Sequence, residues 1–160
     1  MAAARLLVVP KNLSAEYPQK LGKFMIESVG SRLLVETDEA VFAAQVTVLR
    51  NLAAKDEYVG GVNGRLRKAL DELRGKAAAT KRLDLLVGGL KQLALNERST
   101  AVDWYETCSR LMEPPLADRQ SVRSILQYHV GRDSGQKLST ASPDLQVSIH
   151  KLVLRTAALR

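Results

Sequence analysis

The side chains best suited to chemistry are few and scattered. His129 and His150 are the only histidines, and Cys108 is the only cysteine. Neither histidine has a second His or Cys at metal-ligand spacing, so the three do not compose a zinc site. Each histidine lies on or beside an apolar face of a different helix and reads as structural. A catalytic thiol needs a neighbouring base and a positive local field. Cys108 instead shares an apolar stripe with Leu111 and reads as a small buried hydrophobe. The stretch Val59-Gly60-Gly61-Val62-Asn63-Gly64-Arg65 lacks the Lys-Ser/Thr ending of a phosphate loop and has no strand before it. Its glycines read as close-contact positions between helices or as signs of a late helix start. The acids Asp56/Glu57 and Asp71/Glu72 are sequence neighbours, which point in different directions on a helix. No reaction, metal or cofactor is nominated, and a non-enzyme is expected.

The cations carry more information. Twenty-four Lys and Arg against 17 Asp and Glu leave a net charge of +7, which favours polyanionic partners. Arg65, Arg67, Lys68, Arg74, Lys76, Lys81 and Arg82 gather around one predicted inter-helix corner, opposed only by Asp71 and Glu72. Cations near a helix C-terminus suit the dipole in any case. Seven exceed what that requires, and the corner is the candidate nucleic-acid-binding surface. A second collection comprises Arg123, Arg132, Lys137, Lys151, Arg155 and Arg160, spread over two helices and a loop. Arg5, Lys11, Lys20 and Lys23 form a basic arm of the kind that lies along RNA phosphates. Trp104 and Tyr105 could stack on bases, but their helical spacing fits a core better.

These groups would have to be positioned by helices. The chain of 160 residues is long enough to bury a core, and its 46% hydrophobic and 26% charged content is that of a folded protein. Aromatics are only 4%, so Leu, Val and Ala must build that core. Apolar spacing predicts about seven helices and an all-α fold of stacked antiparallel hairpins, as a short solenoid or bundle. Residues 1–17 read as an extended basic segment and 18–160 as one helical domain. Gly30 is expected to stop the first helix, Thr37 or Asp38 to cap the second, and Ser99 the fifth. Asp118 is expected to cap a sixth helix ending near Gly131. Polar 132–141 reads as a loop, after which Ser142-Pro143-Asp144 starts the last helix. No stretch approaches the ~20 apolar residues of a membrane span.

Val48-Leu49-Arg50-Asn51-Leu52-Ala53 is similar to Gly89-Leu90-Lys91-Gln92-Leu93-Ala94 at a hairpin-repeat offset, with Leu70 then matching Leu111. On these residues the chain resembles the helical-repeat proteins of organellar RNA metabolism, the octotricopeptide and FAST-kinase-like families. HEAT-type repeats, which bind proteins, have nearly the same period. Positive charge on the corners and termini of a helical-hairpin scaffold without catalytic groups leads to the expectation of a non-enzymatic RNA-binding or structural subunit of a ribonucleoprotein assembly, such as a mitochondrial ribosome or RNA-processing complex. Its partners would be RNA and other protein subunits, without stable membrane insertion. The alternative is a protein-binding helical adaptor that makes no RNA contact. A single cysteine favours a reducing compartment. The Ala/Arg/Leu character of the first residues points to the mitochondrion, with the cytoplasm as the alternative.

Overall fold

The structure, a computed structural model, describes residues 16–159. Among them are seven α-helices and no strand: α1 (Glu16–Leu33), α2 (Glu39–Leu52), α3 (Asp56–Leu73), α4 (Thr80–Ala94), α5 (Ala101–Met112), α6 (Gln120–Thr140) and α7 (Pro143–Ala157). Short 3-10 turns at Ala77–Ala79 and Leu116–Asp118 lead into α4 and α6. The all-α expectation holds. The basic residues Arg5, Lys11 and Arg160 lie outside the described residues, as does most of the 1–17 segment.

Side-chain caps set several boundaries. Asp38 accepts a hydrogen bond from the Val41 N–H at 3.0 Å and opens α2. Ser142 accepts from the Leu145 N–H at 3.3 Å, and Pro143 supplies a preset φ for the first turn of α7. For α5 the cap is Thr100 rather than the expected Ser99. Its hydroxyl accepts from the Asp103 N–H at 3.1 Å, while Ser99 is held back by Asn96. Asp118 does not cap α6; it sits in the preceding 3-10 turn, and Arg119 takes the N-cap position.

Contacts between helices run along two rows. In one, α1 meets α3, α3 meets α5, and α5 meets α7; in the other, α2 meets α4. Cross-contacts of α1 with α2, α3 with α4, α5 with α6, and α6 with α7 join the rows. The seam holds Phe42, Leu49, Leu66, Leu70, Leu86, Leu90, Trp104 and Leu111, all fully buried. Trp104 is therefore a core residue and no stacking platform.

Two expectations about glycine are corrected. Gly30 does not stop α1, which continues to Leu33; a Cβ there would meet the stem of Arg65 on α3 at 2.7 Å. Gly22 likewise sits against the Tyr58 ring. These two glycines bring α1 close to α3. Gly60, Gly61 and Gly64 mark neither a late start nor a tight contact, since α3 begins at Asp56 and nothing crowds them within 3.8 Å.

The largest correction concerns 132–141, which forms no loop. Helix α6 runs through Gly131 and Gly135 to Thr140. Its inward stripe changes from apolar Val122 and Leu126 to polar His129, Asp133 and Lys137, all buried. The helix continues because Asp133 and Lys137 both have hydrogen-bond partners. It ends where the Gln146 amide donates to the carbonyls of Leu138 and Ala141, at 3.1 and 3.3 Å.

Candidate functional site

The seven predicted anion-binding residues turn toward several different elements. Arg67 extends to α5, where its guanidinium lies 2.9 Å from Asp103 and 3.4 Å from the Thr107 hydroxyl. Arg74 pairs with Glu113. Lys81 lies 3.6 Å from Glu39 of α2. Arg82 donates to the Glu36 carbonyl at 2.7 Å, tying α4 to the connection before α2. Arg65 lays its stem over Gly30. Lys68 and Lys76 are exposed and make no ion pair with the described residues. Four of the seven thus serve as bridges between elements. Arg110–Asp71 at 3.1 Å and Arg119–Asp84 at 2.8 Å continue the same pattern.

The second basic collection also separates. Lys137 is inside the protein, and Arg132 is paired with Asp133. Arg123 donates to the Ala117 and Asp118 carbonyls at 3.2 and 3.1 Å. Lys151 and Arg155 are exposed on α7, and so is His150, which is not on the buried face. Lys20 and Lys23 lie on the outer surface of α1 near Phe24, which is 54% exposed.

A broad concavity lies elsewhere among the described residues. An open groove of about 1070 Å³ runs between the α2–α3 corner and the α4–α5 connection. Ala53, Val59, Gly60 and Leu93 supply its apolar surface. Asp56, Glu97, Arg98, Asp103 and Arg132 supply its charges. Asp103 is committed to Arg67, and Arg132 to Asp133, so the groove carries nearly balanced charge.

The wall formed by residues 96–100 is built with unusual care for a connection. Asn96 Oδ1 accepts from the N–H groups of Arg98 and Ser99, at 2.9 and 3.0 Å. From behind, Lys137 Nζ donates to the carbonyls of Asn96, Glu97 and Ser99 at 3.0, 3.3 and 2.6 Å. Lys137 is only 2% exposed, and its three donors match these three carbonyls, of which that of Asn96 also accepts from the Ser99 N–H and hydroxyl. Burial lowers its pKa; Asp133 and Glu97 work in the opposite sense.

One turn before Lys137, the Asp133 carboxylate is 3% exposed and takes two hydrogen bonds from Arg132, at 2.6 and 3.0 Å. Burial alone would raise its pKa, but Arg132, His129 and Lys137 outweigh that and hold it below the ordinary value. The Arg132 guanidinium also covers the Tyr128 ring, 5.2 Å from its centroid, while Tyr128 itself is 60% exposed. His129 completes the stripe, with Nδ1 3.7 Å from Asp133 Oδ2. Burial, then the charges of Arg132 and Lys91, push its pKa down against the pull of Asp133.

Cys108 is fully buried, and desolvation with the nearby Asp133 charge pushes its thiol far up. Among the described residues no cluster of three or more His, Cys, Asp or Glu could hold a metal, and no helix is long and apolar enough to cross a membrane. No protein-family profile matches the sequence, and no curated protein or solved structure is detectably similar to it.

Sequence reasoning reads Asp133 only as a local counter-charge to the second basic collection and Lys137 as one of its surface cations. The signal was present: His129, Asp133 and Lys137 recur at intervals of four, the spacing of one helix face. Gly131 and Gly135 between them concealed it, because they suggested a break.

Proposed function

We propose that the chain is a non-enzymatic helical scaffold subunit that receives a segment of a partner polypeptide in the groove beside residues 96–100. The observation that carries this reading is the commitment of the basic residues. Arg67, Arg74 and Arg82 tie elements of the fold together, whereas the groove is open and has apolar and polar surface together. Such mixed concave surfaces suit a peptide better than a phosphate backbone. The resemblance to HEAT-type repeats points the same way.

The test is recovery of partners from nuclease-treated extract, comparing the wild type with Leu93→Glu, a half-buried groove position. A nuclease-resistant partner that is lost from the Leu93→Glu protein supports the scaffold. Partners recovered equally by both proteins, or only without nuclease, oppose it.

A second reading, an RNA-contacting subunit of a ribonucleoprotein assembly, draws on a different observation. The +7 surplus is not consumed by the bridges, and Lys23, Lys68 and Lys76 remain exposed, Lys23 beside Phe24. Neutralising ~5 phosphates of a single strand would give a log–log salt slope of about −3.5. A slope near zero, or no binding at low salt, removes this reading.

A further inference from the structure

We propose that the His129–Asp133–Lys137 stripe is an acid-sensitive latch on the 96–99 connection, in which proton uptake by His129 loosens the hold of Lys137 on the groove wall. This regulates the same groove, and its consequence for partner binding rests on the scaffold reading; the loosening itself does not.

The stripe holds one carboxylate among several cations. Asp133 is bound by Arg132, has His129 Nδ1 at 3.7 Å, and lies one turn from Lys137. With His129 neutral, Arg132, Lys137 and Asp133 sum to +1 + 1 − 1, a charge of +1. An imidazolium raises that to +2 in a buried place. The groups that face it from neighbouring elements supply little relief. Lys91 of α4 is a further cation, Glu97 lies beyond Lys137, and the Cys108 thiol of α5 is neutral. On α7 the buried residues are Ile149, Leu152 and Thr156, while Lys151 and Arg155 are exposed.

His129 Nδ1 has no hydrogen-bond partner within normal distance, Asp133 Oδ2 lying 3.7 Å away. Once charged, it draws Asp133 Oδ2 toward itself and away from the field that balances Lys137. Asp133, the one carboxylate that acts on both His129 and Lys137, then offsets the ammonium less, and the three Lys137 bonds to the connection weaken. Those bonds and the Asn96 turn are what hold residues 96–99 in place. The wall next to Arg98 and Thr100 therefore opens on acidification.

Amide hydrogen exchange on the full chain, corrected for intrinsic rates, tests this at about pH 7.5 and about pH 5. Peptides covering residues 96–103 are expected to lose about tenfold in protection at the lower pH, with α2 unchanged. His129→Gln, which cannot charge, is expected to abolish the loss. Should that variant fold poorly, NMR titration of the wild type decides: the amides of 97–100 must shift with the same midpoint as the His129 ring. Protection that is independent of pH, a change that persists in His129→Gln, or midpoints that differ would overturn the latch. Each reading comes from the free protein. Failure here leaves the partner test with Leu93→Glu untouched, and failure there leaves the latch standing.

Discussion

The guanidinium of Arg67 on α3 sits 2.9 Å from the carboxylate of Asp103 on α5, and both side chains are largely withdrawn from water, at 15% and 13% exposure. A bridge in that setting is stronger than a surface pair, whose contribution is usually near 0–1 kcal/mol. It also leaves a poorly solvated charge when either partner is removed. Arg67→Met and Asp103→Asn should each destabilise the protein, and a double-mutant cycle by urea denaturation should give a coupling of about 1–3 kcal/mol. A coupling near zero would mean that Arg67 stands free in solution and could serve an anion after all.

The glycines supply a pair of opposite predictions. A Cβ at Gly22 meets the buried Tyr58 ring, so Gly22→Ala must push α1 away from α3 or displace that ring. A loss of about 1–3 kcal/mol is expected, as for other overpacked contacts. Gly64 lies inside α3 with nothing within 4 Å of a Cβ. Gly64→Ala should therefore stabilise by about 0.5–1 kcal/mol through helix propensity alone. Thermal or urea unfolding of the two variants, compared with wild type, checks both signs at once.

What could be read from the sequence, and what could not, divides along physical lines. Helices whose buried stripe is apolar were legible: Phe42, Val46 and Leu49 on α2, or Leu66, Leu70 and Leu73 on α3, repeat at helical intervals and are buried. Local caps such as Asp38 and Ser142 were legible because their partners lie three residues away. The second half of α6 was not, since its inward groups are Asp133 and Lys137, whose stabilising partners stand on the neighbouring residue and about forty residues away. Charge count alone likewise gathered Arg67 and Arg82 into one surface. Only the fold shows that Arg67 turns to Asp103 and Arg82 to the Glu36 carbonyl.

Cys108 offers a chemical test of the core. Burial and the Asp133 charge both disfavour its thiolate, and the thiolate is the reactive form. The folded protein should leave a thiol reagent unconsumed at neutral pH over a time in which a free cysteine reacts fully. One equivalent should react once denaturant is added, as Cys108 is the only thiol. Rapid reaction without denaturant would show that the α5–α6 contact opens readily.

Acid should destabilise the protein in two separable windows. The His129 pKa is depressed on folding, so the unfolded chain binds a proton more readily; stability is complete above the unfolded value of 6.5 and declines as pH falls below it. The Asp133 pKa is also depressed. Its stabilisation is present above the ordinary carboxylate value of 3.8 and is lost as pH falls through the lower folded value. Urea midpoints measured across the range should fall first below pH 6.5 and again in strong acid. His129→Gln should remove the first decline and keep the second. Asp133→Asn should lower stability already at neutral pH, because it removes the acceptor of two Arg132 hydrogen bonds and the carboxylate that offsets buried Lys137. If Asp133→Asn were instead as stable as wild type, the charge at Asp133 could not be what allows Lys137 to remain inside.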